Sequence, residues 1–469
     1  MPRSFRPRPR VIPAPDGHTW PHVVVIGGGF AGVTAVRQLR KARVRVTLID
    51  RNVYKTFQPL LYQVATAGLN PGDVTMFLRG IQMKAANMRF RQGEVTHIDC
   101  DEQIVHLGDG GRVRYDYLVL ANGATTNFFG TAGAEEYAMP MYTRSQALAI
   151  RERIFAELER ASQLSETGTN DKLHVSIVGG GPTGVEIAGA LADFRIHELD
   201  VLYPEMDPGT LEIALVQRGT ELLKGFEAEH RGYAARELEA RGVQLVLGEG
   251  VDEVGYDFVR LSDGRILESD ITIWAAGVGV DERVKAWGLP QGPGGRIAVE
   301  DSLRVSGMPN VWAAGDVAGQ KVPQPQLAQP AVQTGTHVAR AITALTEGRE
   351  ADSHRPFHYV DLGAMATIGR QAAIATLPGG IQLNGAVGWF AWLGVHVTKL
   401  IGTRNRRSVA ANLLYLYSGT GKSRTPNPVV GEVDSNKARI AFKENSPKRK
   451  FGYGAGGSFP NPGRPKTRR

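Results

Sequence analysis

The strongest constraint on the fold is a glycine-rich pattern that the chain contains twice. His22–Gly27 predicts a short buried strand, GGGFAG follows with glycines in G-x-G-x-x-G spacing, and Val33–Arg40 predicts a helix. Arg45–Asp50 then predicts a second strand that ends in an acid. In such a unit the first glycine permits a tight turn, the second lets the backbone approach a pyrophosphate, and the third lets the helix pack on the strand. The phosphates lie at a helix N-terminus, where free N–H groups favour anions.

The second copy of this pattern begins at Leu173. Leu173–Val178 predicts a strand, GGGPTG repeats the glycine spacing, Val185–Asp193 predicts a helix and Leu211–Val216 predicts the next strand. The polar, proline-containing stretch Leu199–Gly209 predicts a loop between them. Two units indicate two dinucleotides, one a flavin that stays bound and the other a nicotinamide that comes and goes. The predicted fold class is therefore α/β, with two Rossmann-like dinucleotide-binding domains.

Three further segments run from a strand into glycine, namely Tyr115–Leu120, Ile271–Ala275 and Asn310–Val317. The last of them ends in Gly315 and Asp316. An aspartate at the end of a strand can bind a ligand hydroxyl or cap a helix, and both roles can hold together.

Charge and composition exclude several classes of protein. The net charge is +8. Residues 1–10 contain four arginines, residues 446–469 contain seven basic residues, and neither tail contains an acid. Because the positive charges of the two tails together exceed the net charge, the rest of the chain is mildly acidic. The tails suit solubilising termini or attraction to anionic lipids, and they lack the interleaved aromatics that nucleic-acid binding would favour. The single cysteine, Cys100, excludes an intramolecular disulfide and any Cys-x-x-Cys site. No metal site is predicted. No secretory signal and no membrane-spanning segment are visible.

These segments resemble the two-dinucleotide-binding-domain flavoproteins, and within them the type II NADH dehydrogenases, which are non-pumping NADH:quinone oxidoreductases. The resemblance runs from about His22 to Gly419, and three longer segments make it specific. Phe57–Ala65 resembles the family segment beside the flavin ring, Leu327–Gln333 resembles its A-Q-x-x-x-Q quinone motif, and Gly363–Gly369 resembles a stretch that lines the flavin. Disulfide reductases of the same architecture use a cysteine pair, which this chain lacks.

The resemblance implies the following site residues. The expected FAD-binding residues are Gly27, Gly28, Gly29, Phe30, Ala31, Gly32, Asp50, Arg51, Gln58, Pro59, Val95, Ala121, Gly123, Gly315, Asp316 and Ala328. The expected NAD(P)H-binding residues are Gly179, Gly181, Thr183, Gly184, Arg218 and Gly277. The FAD is expected to be non-covalent.

Three residues are expected to carry the catalytic work. Gln329 and Gln333 lie four apart, so in a helix they would present two neutral amides to the carbonyl oxygens of a quinone, or else bridge backbone near the FAD. Glu186 is expected on the first turn of the second unit's helix, where it would handle a proton or orient ligands, or merely stabilise the helix dipole.

The second unit departs from the NADH-specific pattern at the end of its second strand. That strand ends Val216-Gln217-Arg218, without an acid for the ribose 2′-hydroxyl. Arg218 could face the 2′-phosphate of NADPH, or it could be exposed while Gln217 or a backbone group holds the ribose. NADH and NADPH both stay open.

The most hydrophobic stretch, Gly385–Gly402, predicts a helix with an apolar stripe of Trp389, Leu393, Val397 and Leu400. Basic residues follow it (Lys399, Arg404, Arg406, Arg407), and a second amphipathic piece begins at Val409. Tryptophan with basic residues suits helices that lie in a membrane interface, whereas the alternative is a helix pair buried in the core or in a dimer interface. The family resemblance, including Gly402–Arg406, favours membrane attachment.

Together these observations predict a peripheral, FAD-dependent NAD(P)H:quinone oxidoreductase on the cytoplasmic face of the cell membrane. It would bind menaquinone or ubiquinone, form a homodimer and pump no protons. The rivals are a reductase of an iron–sulfur protein and a flavoprotein sensor with negligible turnover. The expected division is a basic tail at 1–20, an FAD domain at 21–150 and 295–380, an NAD(P)H domain at 151–294, membrane-associating helices at 381–420 and a basic tail of little fixed structure at 421–469.

Overall fold

The computed structural model describes residues 19–166 and 172–418. The predictions for the two basic tails lie almost wholly outside these residues. The chain alternates strands and helices around two parallel sheets. The helices are Phe30–Leu39, Leu61–Ala65, Ala134–Tyr137, Arg144–Glu166, Pro182–His197, Leu199–Leu202, Ala228–Ala240, Ala328–Thr346, Glu350–Ser353, Gly385–Lys399 and Thr403–Ser418.

Each glycine-rich unit belongs to its own five-stranded sheet, in which all neighbouring strands are parallel. In spatial order the first sheet consists of Val311–Ala313, Tyr117–Leu120, His22–Ile26, Arg45–Asp50 and Met88–Gln92. In the same order the second consists of Met139–Pro140, Ile271–Trp274, Leu173–Val178, Leu211–Gln217 and Gln244–Leu247. In both sheets the strand before the glycine turn is central, so the turn lies at the carboxyl edge of the sheet, where ligands bind in such folds. The α/β prediction with two Rossmann-like units is confirmed.

Smaller two- and three-stranded sheets flank these two units, and all of those described are antiparallel except one. The two-stranded sheets pair Tyr54–Thr56 with Thr75–Phe77 and Thr125–Thr126 with Val278–Gly279, and Ile297–Ala298 pairs with Ala318–Gly319 in parallel. The three-stranded sheets are Val95–Asp99 with Ile104–Leu107 and Arg112–Arg114, Val251–Val254 with Phe258–Leu261 and Ile266–Glu268, and Ala364–Gly369 with Ala372–Leu377 and Ile381–Asn384. Short 3₁₀ turns occupy Gln58–Leu60, Leu78–Lys84, Pro208–Thr210, Glu282–Trp287, Pro293–Gly295 and Gly315–Val317.

The stretch Leu199–Gly209 is only in part the loop that its polarity predicts. It contains the helical turn Leu199–Leu202 and the start of the 3₁₀ turn Pro208–Thr210. The reason is that Leu199, Tyr203 and Met206 are buried in the core, so these apolar side chains fold the segment back onto the second unit.

Two small residues allow the close packing that assembles the site. A Cβ on Gly335 would lie 2.3 Å from the carbonyl oxygen of Ala31, so the helix Ala328–Thr346 rests directly on the helix of the first glycine unit. A Cβ on Gly189 would lie 1.8 Å from the carbonyl oxygen of Ile368, so the helix Pro182–His197 rests on the strand Ala364–Gly369. Glycine at both positions is required because the neighbouring atom is backbone and cannot move aside.

The C-terminal helices Gly385–Lys399 and Thr403–Ser418 form a pair whose predicted apolar stripe faces inward. Trp389, Trp392 and Leu400 are buried in the core, and Leu393 and Val397 pack against it. The opposite surface of the pair leaves large apolar side chains exposed, including Val387, Phe390 and Leu414. None of the described helices is long and apolar enough to cross a membrane.

Candidate functional site

The two glycine turns have the same backbone geometry. Gly27 has φ +101° and Gly179 has φ +115°, which are left-handed values that favour glycine. A Cβ would lie 2.2 Å from the Ala121 carbonyl oxygen at the first turn and 2.6 Å from the Ala275 carbonyl oxygen at the second. Each turn therefore lies against the neighbouring strand so closely that no side chain fits.

The second glycine of each motif faces open space. A Cβ on Gly29 would meet nothing closer than an oxygen 4.0 Å away, and a Cβ on Gly181 would meet nothing within 4 Å. These two residues are also the N-caps of the helices Phe30–Leu39 and Pro182–His197, and neither helix has a side-chain cap. The free N–H groups thus point into an open cradle, which fits a pyrophosphate.

The third glycine of each motif packs against the backbone of its own turn. A Cβ on Gly32 would lie 1.9 Å from the Gly27 carbonyl oxygen, and a Cβ on Gly184 would lie 1.9 Å from that of Gly179. The helix can approach its own strand only because both positions lack a side chain.

The ends of the second strands show where the two units differ. Asp50 Oδ2 accepts a hydrogen bond from the backbone N–H of Gly28 at 2.6 Å, and Gln217 Oε1 accepts one from Gly180 at 2.8 Å. Burial raises the pKa of Asp50, and the backbone N–H groups of Gly28 and Asn52 oppose that shift. Gln217 therefore occupies the position of the acid in the first unit but carries no charge.

Several other predicted FAD-binding residues surround the first cradle. Asp316 is half-buried in the turn Gly315–Val317, and burial raises its pKa to about 6. Tyr142, which the sequence did not single out, lies beside it: burial and then the charge of Asp316 raise the pKa of this phenol. Within the described residues, the buried atoms Gln58 Oε1 and Asn122 Oδ1 have no hydrogen-bond partner. Asn122 lies against the first turn, where its Cα would be 2.7 Å from a Cβ on Gly27, so its unsatisfied acceptor fits a bound cofactor that donates to it.

The remaining predicted residues of the two dinucleotide sites occupy varied positions. Ala31 and Ala121 are buried around the first turn, Phe30 begins its helix, and Val95 is buried at the start of a strand. Arg51 is exposed, whereas Pro59, Gly123, Thr183 and Gly277 are half-buried. Arg218 is exposed, and its Nε would be 3.2 Å from a Cβ on Gly250.

The helix Ala328–Thr346 carries both predicted glutamines, and both are half-buried. The Gln333 amide is fully engaged with the backbone of Val360: Nε2 donates to its carbonyl oxygen at 2.8 Å, and Oε1 accepts from its N–H at 3.0 Å. Gln329 makes no side-chain hydrogen bond within the described chain. Thr334 Oγ1 accepts from the Gly315 N–H at 2.9 Å, which fixes this helix to the turn that bears Asp316.

Glu186 lies in the second turn of its helix, not in the first as the sequence predicted, because the helix already begins at Pro182. The side chain is buried between this helix, the strand Ala364–Gly369 and the helix Gly385–Lys399. Burial raises the pKa of this carboxyl well above its usual range, and the Thr367 backbone N–H and the Trp392 indole oppose the shift only in part. The raised pKa favours the protonated, neutral form of Glu186, which weakens the helix-dipole alternative.

A row of rings leads from this acid to the first glycine turn. Trp392 stacks on His396 at 4.4 Å, His396 meets Phe57 edge-on at 6.4 Å, and Phe57 meets Phe30 edge-on at 5.7 Å. Burial lowers the pKa of His396 to about 4, so the imidazole is neutral, and its Nδ1 donates to the Trp392 carbonyl oxygen at 2.7 Å. His396 was not among the residues predicted from the sequence, although its spacing of four from Trp392 places both on one helix face.

Comparison with known proteins places the chain in a family. Residues 21–335 match the family model described as pyridine nucleotide-disulphide oxidoreductase, and residues 362–417 match the NDH2 C-terminal domain. The chain is 34% identical over 396 residues to the type II NADH:quinone oxidoreductase Ndh of Mycobacterium tuberculosis, covering 82% of this chain and 85% of the relative. It is 35% identical over 426 residues to NdhA of the same organism, covering 88% and 90%.

The fold has a close counterpart among solved structures. NDH2 from Plasmodium falciparum in complex with RYL-552 superposes with a TM-score of 0.79 at 21% identity, covering 86% of this chain and 99% of that one. The expected reaction class and the expected FAD and NADH cofactors agree with the matched family models and curated relatives. The chain belongs to the type II NADH:quinone oxidoreductases.

Proposed function

We propose that this protein oxidises NADH or NADPH and reduces a membrane quinone, without pumping protons. Bound FAD would supply the redox chemistry, because it can accept a hydride and pass on two electrons. The observation that carries the proposal is the pair of matched open cradles at Gly29 and Gly181, together with Glu186, a buried acid whose pKa burial raises. The first cradle with Asp50 and Asp316 would hold FAD, and the second would hold the nicotinamide dinucleotide.

Residues of the chain itself would bind the quinone, hold a proton and exclude solvent. Gln329, whose side chain makes no hydrogen bond among the described residues, would bind a quinone carbonyl oxygen. Gln333 would act on the same site through Val360, because its two hydrogen bonds hold that backbone segment beside the helix. Glu186 would store a proton in a water-poor site. Burial of this acid and of the aromatic row would exclude solvent from the reacting groups.

The decisive experiment is steady-state oxidation of NADH by the FAD-loaded protein with a short-chain quinone. We expect rapid turnover, and we expect the bound flavin, once reduced by NADH, to be reoxidised by quinone within the turnover time. A flavin that NADH reduces but quinone does not reoxidise would contradict the proposal. It would favour the first rival, an enzyme that reduces an iron–sulfur protein, and this rival predicts salt-sensitive binding of that protein.

The coenzyme preference is predicted to depend on the neutral side chain at the end of the second unit's strand. Gln217→Glu keeps the acceptor for the Gly180 N–H but adds a negative charge where the 2′-phosphate of NADPH would lie. We expect kcat/KM for NADPH to fall about 10-fold or more, while that for NADH is unchanged or rises, because juxtaposed like charges cost several kcal/mol. Steady-state kinetics with both coenzymes measure this.

Arg218→Ala is the matched variant, because it removes a positive charge at the next position. It should weaken NADPH alone. If each substitution changes kcat/KM for NADH and for NADPH by the same factor, this strand end does not contact the 2′ position of the coenzyme ribose.

We also propose the finer features of location and assembly. The exposed apolar surface of the helix pair, with Val387, Phe390 and Leu414, would lie on the cytoplasmic face of the cell membrane. This surface would also give a lipid-soluble quinone, either menaquinone or ubiquinone, a route to the site.

A homodimer is proposed as the assembly. For the domains we propose the limits 21–150 with 295–380 for FAD, 151–294 for the nicotinamide and 381–420 for the membrane helices.

A further inference from the structure

The ring of Phe129 is exposed beside the second cradle. The side chain is 57% exposed, although phenylalanine is among the residues that are most often buried. A Cβ on Gly277 would lie 2.9 Å from Cζ of this ring and 3.2 Å from its Cε2, so the ring edge rests on the backbone of Gly277. Gly277 follows the strand Ile271–Trp274, which pairs with the strand before the second glycine turn. The exposed ring is therefore at the ligand-binding edge of the second sheet.

The backbone of the loop holds Phe129 in this position. Its φ of +53° lies in the left-handed region, which a bulky side chain rarely adopts. Asn127 Oδ1 accepts a hydrogen bond from the Phe129 N–H at 2.8 Å, and the Asn127 carbonyl oxygen accepts one from Trp274 Nε1 at 2.8 Å. Strained backbone of this kind persists only where the surrounding contacts enforce it, and it is concentrated at ligand sites. These contacts fix Phe129 to the end of the strand Ile271–Trp274.

The strand order of the second sheet sets the direction in which a dinucleotide would lie. Leu173–Val178 is central, with Leu211–Gln217 on one side of it and Ile271–Trp274 on the other. The adenosine ribose is expected at the end of Leu211–Gln217, and the pyrophosphate at the glycine turn. The nicotinamide half would therefore extend over the end of Ile271–Trp274. That strand end borders the turn directly, because a Cβ on Gly179 would lie 2.6 Å from the carbonyl oxygen of Ala275.

The segment that carries Phe129 also joins the two cradles. It begins at Ala121, whose carbonyl oxygen would lie 2.2 Å from a Cβ on Gly27 in the first turn. Farther along, Thr125–Thr126 pairs with Val278–Gly279 from the second unit in an antiparallel ribbon. A nicotinamide that reaches from the second cradle towards a flavin in the first would follow the same route. Phe129 is thus placed on the path of the nicotinamide half, away from the adenosine end.

We propose that the Phe129 ring packs against the nicotinamide half of NADH or NADPH and orients it towards the flavin. A flat heteroaromatic ring gains free energy from contact with an aromatic side chain, in stacked or edge-to-face geometry. The nicotinamide of the oxidised coenzyme also carries a positive charge, which the face of a phenyl ring attracts. This inference rests on the proposed function and adds to it a residue that positions the coenzyme.

The test compares two ligands that differ only by the nicotinamide, NAD⁺ and ADP-ribose, in calorimetric titrations of the FAD-loaded protein. We expect Phe129→Ala to raise the Kd of NAD⁺ about 10-fold, as loss of one aromatic contact and its buried area does, and to leave the Kd of ADP-ribose unchanged. In stopped-flow measurements the same variant should slow flavin reduction by NADH about 10-fold or more and leave reoxidation by quinone unchanged. Phe129→Tyr keeps the ring and should restore both values.

Phe77→Ala is the matched control, because Phe77 is 56% exposed and lies in the strand Thr75–Phe77 of the first unit. It should change neither Kd and neither half-reaction. Equal effects of Phe77→Ala and Phe129→Ala would overturn the proposal by showing a general consequence of removing a surface ring.

Two further results would also overturn the proposal. A rise in the Kd of ADP-ribose as large as that of NAD⁺ would show that Phe129→Ala disturbs the whole cleft and not the nicotinamide half. Unchanged NAD⁺ binding and unchanged flavin reduction in Phe129→Ala would show that the ring does not contact the coenzyme. Failure of the proposed function has a different signature, because the flavin of the wild-type protein would then not be reoxidised by quinone, whatever the variants bind.

Discussion

Replacing Gly184 by alanine is expected to abolish NADH oxidation while FAD stays bound. The added Cβ would lie 1.9 Å from the backbone carbonyl oxygen of Gly179, far inside the contact limit, so the N-terminus of the helix Pro182–His197 must move. Displacement of a ligand-positioning element by about 1 Å can lower a rate about 100-fold. We expect at least that loss in kcat/KM for NADH, with flavin content and reduction of the flavin by dithionite unchanged.

The repeated architecture provides matched controls for this substitution. Gly32→Ala makes the same contact in the first unit, at 1.9 Å from Gly27, and should instead release FAD. Gly181→Ala places its Cβ in open space, and Gly181 has an ordinary φ of −77°, so the Tm should be unchanged while the methyl group obstructs the coenzyme phosphates. Loss of FAD from Gly184→Ala, or normal NADH oxidation by both second-unit variants, would show that the two cradles are not divided as proposed.

The two cradles could be predicted from the sequence because their geometry is local. The turn, the open second glycine and the sealed third glycine all depend on contacts within one strand–turn–helix unit, and only glycine satisfies them. The absence of an acid from the strand end Val216-Gln217-Arg218 was visible for the same reason. What the sequence did not show is that Gln217 keeps the hydrogen bond to the turn that Asp50 makes in the first unit.

The surroundings of Glu186 and Gln333 could not be predicted, because they depend on contacts between distant parts of the chain. Thr367 and Trp392 reach Glu186 only after the C-terminal segment folds back onto the second unit. The boundary of the helix also misled the prediction: proline at its first position permits a start at Pro182, one turn earlier than the apolar pattern indicates. Likewise the tryptophans that suggested an interfacial helix are buried, and the exposed face consists of other residues, such as Phe390.

Replacing Glu186 by glutamine is expected to slow quinone reduction and leave flavin reduction by NADH intact. Glutamine keeps the size and neutrality of the protonated acid but cannot release a proton. We expect the rate of flavin reoxidation by quinone to fall about 100-fold or more, the range over which a positioned acid acts, while flavin reduction by NADH changes little. Stopped-flow absorbance of the flavin separates the two half-reactions.

The pH dependence of stability supplies a second readout for the same variant. The pKa of Glu186 is raised in the folded state, so folding favours the protonated form, and this preference is lost as the pH rises from the unfolded value towards the folded one. Wild-type protein should therefore lose stability relative to Glu186→Gln above about pH 4.5, a value near that of an ordinary glutamate. Parallel Tm curves across that range would mean that the carboxyl is not held neutral.

Asp193→Asn is the matched control, because it lies on the same helix and burial raises its pKa to about 7. Its carboxylate accepts from the Arg370 backbone N–H and contacts Arg241, away from Thr367 and Trp392. This substitution should alter the dependence of Tm on pH without slowing reoxidation by quinone. If both variants slow reoxidation equally, the effect comes from the helix as a whole. If only Glu186→Gln slows reoxidation, the proton of this single carboxyl is used in quinone reduction. The comparison is informative because the two acids share a helix and a raised pKa but have different neighbours.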